Sequence, residues 1–245
     1  NKAAKEMLTR LSGMLPINVK GMWIGTFHGL CNRLLRAHHR DAALPQLFQI
    51  LDSADQLSAV KRLLKSLNVD DEKFPPRELC HFINGQKEAG LRASAVEAWD
   101  DYTRKRVGLY EAYEAQCQKE GVVDFAELLL RSYELLERNE PLRRHYQERF
   151  RHVLVDEFQD TNTTQYRLVR ALSARTRNLC VVGDDAQSIY SFRGARIENI
   201  LNFKNDYPDY HLFKLEQNYR STQTIVNAAN SVIEKNVGQI KKRVY

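Results

Sequence analysis

Four short apolar runs, Trp23 to Phe27, Val153 to Val155, Leu179 to Val182 and Tyr210 to Leu215, each stand just before a segment with helical periodicity. Runs this short and continuous suit strands buried on both faces of a parallel sheet, because a half-buried strand would alternate apolar with polar residues. Helices are predicted near Thr163 to Ala174, Ile197 to Phe203 and Thr222 to Ile233. Strand-helix alternation of this kind predicts an open α/β sheet, and such sheets bind their ligands at the carboxyl ends of the strands.

From about residue 28 to residue 150 the pattern is helical alone, which predicts an all-helical subdomain inserted into the sheet domain, with no strand of its own. One of its helices carries Val107, Tyr110, Tyr113 and Cys117 on one face and stops at Gly121. Another opens at Asp124 with Glu127 three residues on, the arrangement of a capping box, and runs through Leu128, Leu129 and Leu135. Pro75 and Pro76 mark a loop within the insert. With 245 residues, of which 43% are hydrophobic, the chain buries a sizeable core and is not a disordered segment.

Charge and cysteine content exclude further classes. A net charge of +6 is compatible with a polyanionic partner without demanding one. Cys31, Cys80, Cys117 and Cys180 show no C-x-x-C spacing and read as buried, reduced thiols of a reducing compartment. The seven histidines share no metal-ligand spacing with them, so neither zinc nor an iron–sulfur cluster is expected. No stretch of about 18 apolar residues occurs, and the start lacks the zones of a signal peptide, so a soluble cytoplasmic protein with no membrane partner is expected. The first residue is Asn1, and the last residues follow a basic run, Lys241, Lys242 and Arg243; both ends read as those of a fragment. That run, like Arg33, Arg36, His38, His39 and Arg40, suits a basic stripe facing DNA or, more often, a solvated face.

The densest chemistry lies after the second apolar run, where Val153-Leu154-Val155 delivers the adjacent carboxylates of Asp156 and Glu157. Such a pair divides labour in nucleotide hydrolysis: the first holds Mg²⁺ with water in its shell, and the second orients and deprotonates the attacking water. Alone, the same string serves as well as an acidic turn capping the next helix. The third run leads into Gly183-Asp184-Asp185-Ala186-Gln187-Ser188-Ile189-Tyr190-Ser191-Phe192-Arg193, where Gln187 suits a terminal phosphate or its attacking water. Tyr190 and Phe192 suit stacking on unpaired bases, or else plug the core. The fourth run ends in Gln217-Asn218-Tyr219-Arg220-Ser221, offering an arginine for phosphoryl charge and a tyrosine for a purine; by itself Arg220 is also a surface arginine. Gly25-Thr26-Phe27-His28 brings a hydroxyl and an imidazole suited to a phosphodiester, or a capped helix start.

In this order, each after a strand, the four segments resemble the UvrD, Rep and PcrA family of superfamily 1 DNA helicases, nearest its UvrD type, over essentially the whole chain. Asp156 to Asn162 resembles the Walker B motif of that family, Gly183 to Ala195 its coupling motif, Gln217 to Ser221 its arginine-finger motif and Asn1 to Ala4 the end of its motif Ia. The resemblance implies a RecA-like parallel sheet of the P-loop NTPase type, interrupted by the helical insert. Residues 1–27 and 151–214 would belong to the first motor domain, 28–150 to the insert and 215–245 to the start of a second motor domain. It further implies ATP and Mg²⁺ as cofactors, with Asp156 on Mg²⁺, Glu157 as catalytic base, Gln187 at the γ-phosphate, Arg220 reaching it from the second motor domain and Tyr219 beside the adenine. Thr26, His28, Tyr190, Phe192 and Arg193 would face single-stranded DNA. The activity implied is 3′ to 5′ translocation and duplex unwinding in bacterial DNA repair, on single strands and duplex junctions, beside repair proteins.

Two departures stand out. Phe192 occupies a position where tryptophan is usual in the family, and no G-x-x-x-x-G-K-[ST] occurs in the 245 residues, so the backbone cradle for the β and γ phosphates is expected upstream of Asn1 and this stretch alone is expected to be inactive. A RecB-like or AddA-like helicase-nuclease shares these motifs. A nucleic-acid-binding scaffold without the phosphate loop is the non-enzymatic alternative, though a scaffold gives Glu157, Gln187 and Arg220 no purpose.

Overall fold

The computed structural model describes residues 2–188 and 194–245, so Tyr190, Phe192 and Arg193 lie outside the described residues. In chain order the elements are α1 (Lys2–Met14), α2 (Phe27–Ala37), β1 (Gln49–Ile50), α3 (Ser53–Ser66), α4 (Pro76–Glu88), α5 (Asp101–Glu120), β2 (Val122–Val123), α6 (Phe125–Arg138), α7 (Glu140–Arg149), β3 (Val153–Val155), α8 (Thr163–Ser173), β4 (Leu179–Val181), α9 (Glu198–Leu201), α10 (Phe203–Asp206) and α11 (Gln223–Ile233). Among the described residues the chain is mixed α/β, mostly helical, with two small parallel sheets, β1 beside β2 and β3 beside β4. Two compact units share it: residues 1–151 with 164–177, and residues 152–163 with 178–245.

In the first unit, short polar side chains start the helices by accepting otherwise orphaned N–H groups. Asp52 accepts from Ala54 and Asp55, each at 2.8 Å, Asp100 from Thr103 at 2.8 Å, and Asp124 from Glu127 at 2.7 Å. Gly121 ends α5 in the left-handed conformation, φ 66° and ψ 38°. A Cβ there would stand 2.8 Å from Pro45 Cγ, so glycine is required twice over. Two apolar cores result. Leu34, Leu35, Phe48, Leu128, Leu136 and Leu168 form one, with Trp23 and Phe27 packed on it; Val60, Leu64, Leu79, Ile83, Tyr110 and Tyr113 form the other.

Against the second core lies a buried ionic cluster. The Lys87 side chain is 2% exposed, and its Nζ stands 2.7 Å from Asp124 Oδ2 and 2.9 Å from Glu127 Oε2. Arg92 donates to both oxygens of Glu127 and of Glu134 and to Glu114 Oε1, while Arg131 Nε donates to Glu127 Oε1. Tyr113 adds its hydroxyl to Asp124 Oδ2 at 2.8 Å. Burial alone would lower the Lys87 pKa, but the Asp124 and Glu127 carboxylates outweigh it and raise it above the ordinary lysine value. Burial likewise works against Glu127, whose pKa the surrounding cations still hold well below that of an ordinary glutamate. The capping box is therefore half made: Asp124 caps α6, and the Glu127 carboxylate serves the cations.

Several sequence expectations need correction. Trp23 to Phe27 forms no strand: Trp23 packs edge-on against Tyr146 and Phe150 at 5.4 and 5.3 Å, and Phe27 is already the first residue of α2. Tyr210 to Leu215 is irregular, with Phe213 and Leu215 84% and 87% exposed, and the first pairing downstream joins Glu216 and Asn218 to Tyr245. In both places an apolar run lacks a neighbouring ladder among the described residues, and without one a run is not a strand. The insert is not strand-free, because β1 and β2 pair in parallel. Pro76 is the first residue of α4 and not part of a loop, as its missing N–H costs nothing in the first turn, while Pro75 stands just ahead of the helix. The helix expected at Ile197 to Phe203 is split into α9 and α10. Cys180 is exposed, not buried, on the same sheet face as Leu154, its partner in register. On the basic side of α2, Arg33, Arg36 and Arg40 are exposed, as a solvated face requires, while the Arg33 guanidinium lies 4.3 Å from the Trp23 ring centre, that of Arg36 lies 3.6 Å from the Phe48 ring centre, and half-buried His38 hydrogen-bonds the Tyr146 hydroxyl. Helices α8 and α11 and strands β3 and β4 lie where the periodicity puts them, β4 ending at Val181. Among the described residues no helix is long and apolar enough to cross a membrane.

Candidate active site at the ends of two parallel strands

In the second unit β3 and β4 run parallel with Val153, Leu154 and Val155 opposite Leu179, Cys180 and Val181. The ladder continues past both strands, Val182 donating to the Val155 carbonyl at 2.8 Å and Phe158 to the Val182 carbonyl at 2.9 Å. Their carboxyl ends are thereby held side by side. Phe158 is fully buried, edge-on to Phe203 at 5.8 Å, and Tyr207 stacks on Phe203. This packing holds the turn that carries the acidic pair.

Asp156 and Glu157 leave the strand end exposed to solvent. Glu157 has φ 50° and ψ 43°, a left-handed conformation that costs a residue with a Cβ about 1–2 kcal/mol. Asp156 Oδ1 accepts the Glu157 N–H at 2.9 Å. Gln159, 1% exposed, donates from Nε2 to Glu157 Oε2 at 2.7 Å and accepts at Oε1 from the Asp184 N–H at 3.0 Å. Burial first, then the Glu157 charge, raises the pKa of Asp160 above the ordinary aspartate value.

On the neighbouring strand end Gly183 permits this approach, because a Cβ there would lie 2.7 Å from Gln159 Oε1, 3.0 Å from Ile200 Cδ1 and 3.2 Å from the Phe158 nitrogen. Asp184 caps the following short turn, accepting from Ala186 N–H and from Gln187 Nε2, each at 3.0 Å. Lys242 pairs with Asp184 and lies 3.9 Å from Asp185, so it is not the solvated lysine expected. Partial burial pushes the Asp184 pKa up, but Lys242 and Gln187 outweigh it and leave the carboxyl below the usual aspartate value. Gln187 is exposed with its amide nitrogen turned to Asp184.

Asp156, Glu157 and Gln187 thus gather at adjacent strand ends. Tyr219 and Arg220 belong to the same unit but sit on a separate turn, closed by Asn218 Oδ1 accepting from Arg220 N–H at 2.9 Å and Ser221 N–H at 2.8 Å. That turn leaves Arg220 exposed and Tyr219 87% exposed, the phenol donating to Gln217 Oε1 at 2.8 Å. Thr26 and His28 belong to the first unit. Thr26 is the N-cap of α2, accepting from Gly29 N–H at 3.3 Å, and half-buried His28 meets Phe125 edge-on at 5.9 Å. The sequence reading gave Gln159 and Gly183 no role of their own; a glutamine two residues after Glu157 and a glycine just past the end of the next strand were the available signals.

Among the described residues no group of three or more His, Cys, Asp or Glu side chains could enclose a metal ion. Mg²⁺ asks for less, one or two carboxylates with water and phosphate oxygens completing its octahedron. Asp156 fits, exposed and with one carboxylate oxygen outside the bond to Glu157.

A family model described as the UvrD/REP helicase N-terminal domain matches residues 1–208. DNA helicase II of Escherichia coli (strain K12) is 50% identical over 248 residues, covering 100% of this chain and 34% of that protein. DNA helicase II of Haemophilus influenzae is 49% identical over 250 residues, again 100% of this chain and 34% of the relative. ATP-dependent DNA helicase PcrA of Staphylococcus aureus is 42% identical over 238 residues, 96% of this chain and 33% of the relative. The chain spans about a third of the length of these curated relatives.

Proposed function

Since the chain belongs to the UvrD/REP helicase family, we propose that it forms part of an ATP-dependent DNA helicase moving 3′ to 5′ on single-stranded DNA. The observation that carries this reading is the parallel pairing of β3 with β4, which brings Asp156 and Glu157 beside the turn of Gln187. In this reading β3 and β4 are two strands of a RecA-like sheet, with residues 1–27 and 151–214 in the first motor domain, 28–150 the insert and 215–245 the start of the second. Asp156 holds Mg²⁺, which when bound neutralises developing phosphate charge. Glu157 takes the proton of the attacking water, Gln187 exchanges its bond to Asp184 for one to the γ-phosphate, and Arg220 adds its guanidinium from the second motor domain with Tyr219 against the adenine. Thr26 and His28 contact the DNA backbone; Tyr190, Phe192 and Arg193 hold bases. DNA repair and duplex junctions follow from the same reading. The 245 residues contain no G-x-x-x-x-G-K-[ST] cradle, so by themselves they are expected to hydrolyse no ATP.

The test uses the complete gene product. Single-stranded DNA is expected to stimulate ATP hydrolysis, and Glu157→Gln to lower turnover by on the order of 10² to 10⁴-fold, the usual worth of a general base. Duplexes with a 3′ single-stranded tail are expected to be unwound and those with a 5′ tail left intact. Hydrolysis that ignores DNA, or survives Glu157→Gln within a few-fold, would overturn the reading.

A further inference from the structure

The buried amide of Gln159 is the one side chain that bonds both to the candidate base and to the turn carrying Gln187, among the described residues. Its orientation is dictated by chemistry: Glu157 Oε2 accepts only, so it must face Nε2, and the Asp184 N–H donates only, so it must face Oε1. Flipping the amide would set oxygen against oxygen and N–H against N–H. Glutamate in its place cannot donate to Glu157, and asparagine is one methylene too short to span the gap. Gly183 is the other half of the arrangement, since any side chain there would drive Oε1 away. The backbone bond from Phe158 to Val182 fixes the distance that the amide crosses.

We propose that Gln159 is a positioning residue that sets the orientation of the Glu157 carboxylate according to where the Asp184–Gln187 turn stands. The proposal rests on the hydrolytic reading of Glu157 given above. The turn continues directly into residues 189–193, which that reading assigns to bases, so displacement of the turn by nucleic acid pulls on Oε1 and reorients the carboxylate through Nε2. DNA stimulation of hydrolysis then passes through one amide.

The experiment measures kcat and KM for ATP in the complete gene product, with and without an oligodeoxynucleotide, together with thermal unfolding. Gln159→Met fills the same space and removes both bonds. It is expected to leave the KM for ATP within about 3-fold of the parent, to lower DNA-stimulated kcat by 10-fold or more, and to shrink the ratio of stimulated to basal turnover. A stability role alone would lower the unfolding temperature and leave kcat per folded molecule and the stimulation ratio unchanged, which would overturn the proposal. If Gln159→Met does not fold, Gly183→Ala supplies the answer by pushing Oε1 aside, and an unchanged stimulation ratio there would equally overturn it. Glu157→Gln separates the two readings: loss of turnover there with none in Gln159→Met rejects the positioning role alone, whereas full activity of Glu157→Gln rejects the hydrolytic reading beneath it.

Discussion

Arg220→Ala in the complete gene product is expected to lower DNA-stimulated ATP turnover by on the order of 10³-fold or more, the effect of removing an arginine finger. Asn218 caps the N–H groups of Arg220 and Ser221, fixing the backbone just ahead of α11, while the guanidinium has no ion pair among the described residues. An exposed arginine held on a rigid turn is poised to meet a charge that forms elsewhere, and its planar fork suits phosphate oxygens. Because that charge is greatest in the transition state, ATP binding is expected to change far less than turnover. Arg220→Lys, which keeps the charge without the fork, should fall between alanine and the parent. Steady-state kinetics beside an ATP-binding titration decides the matter: turnover of Arg220→Ala within a few-fold of the parent would return Arg220 to the ordinary surface arginines.

Lys87→Met is expected to destabilise the 245-residue chain by about 3–5 kcal/mol, although it removes a charge that no solvent touches. Methionine fits the apolar part of the space, but two buried carboxylates lose their shared cation. Glu127 keeps Arg92 and Arg131, and Asp124 keeps Tyr113 and Gln56, which places the effect toward the lower end of that range. Pairing Lys87→Met with Asp124→Asn should recover part of the loss by removing one uncompensated charge. Urea unfolding of the three chains measures this, and a single variant within about 0.5 kcal/mol of the parent would mean that the cluster hydrates or rearranges. The raised pKa of Lys87 makes its contribution complete below the ordinary lysine value and lost as pH climbs through the folded one. The depressed pKa of Glu127 makes its contribution complete above the ordinary glutamate value and lost as pH falls through the folded one. Across neutral pH the cluster should therefore hold steady.

What the sequence made legible is local. Asp124 caps α6 because it satisfies the N–H group three residues away, and Gly121 ends α5 for a reason contained in its own backbone. The acidic pair after Val153 to Val155 stood out because a three-residue apolar run ended abruptly in charge. The apolar runs at 23–27 and 210–215 misled because a strand is a property of two segments, and hydropathy reports one. The ionic cluster was illegible for the same reason: Lys87 finds Asp124 across 37 residues, and in isolation each charged residue reads as surface. Gln159 was hidden by its neighbours, since an amide between carboxylates looks like filler until the adjacent strand end is in place.

The order in which the units are threaded bears on how the polypeptide is made. The first unit takes residues up to 151, releases the chain to the second unit for β3, then reclaims 164–177 before β4 begins. Helix α8 brings Leu168 into the same apolar core as Leu34 and Leu128, and the Thr164 hydroxyl donates to the Lys87 carbonyl at 2.9 Å. On the ribosome, the helical unit therefore emerges almost whole yet stays open until α8 follows, while β3 waits for β4 some two dozen residues later. Nascent chains that have cleared the ribosome only as far as about Arg151 would expose an unfilled apolar seat, the state in which a chaperone binds, and emergence past Arg177 would close it.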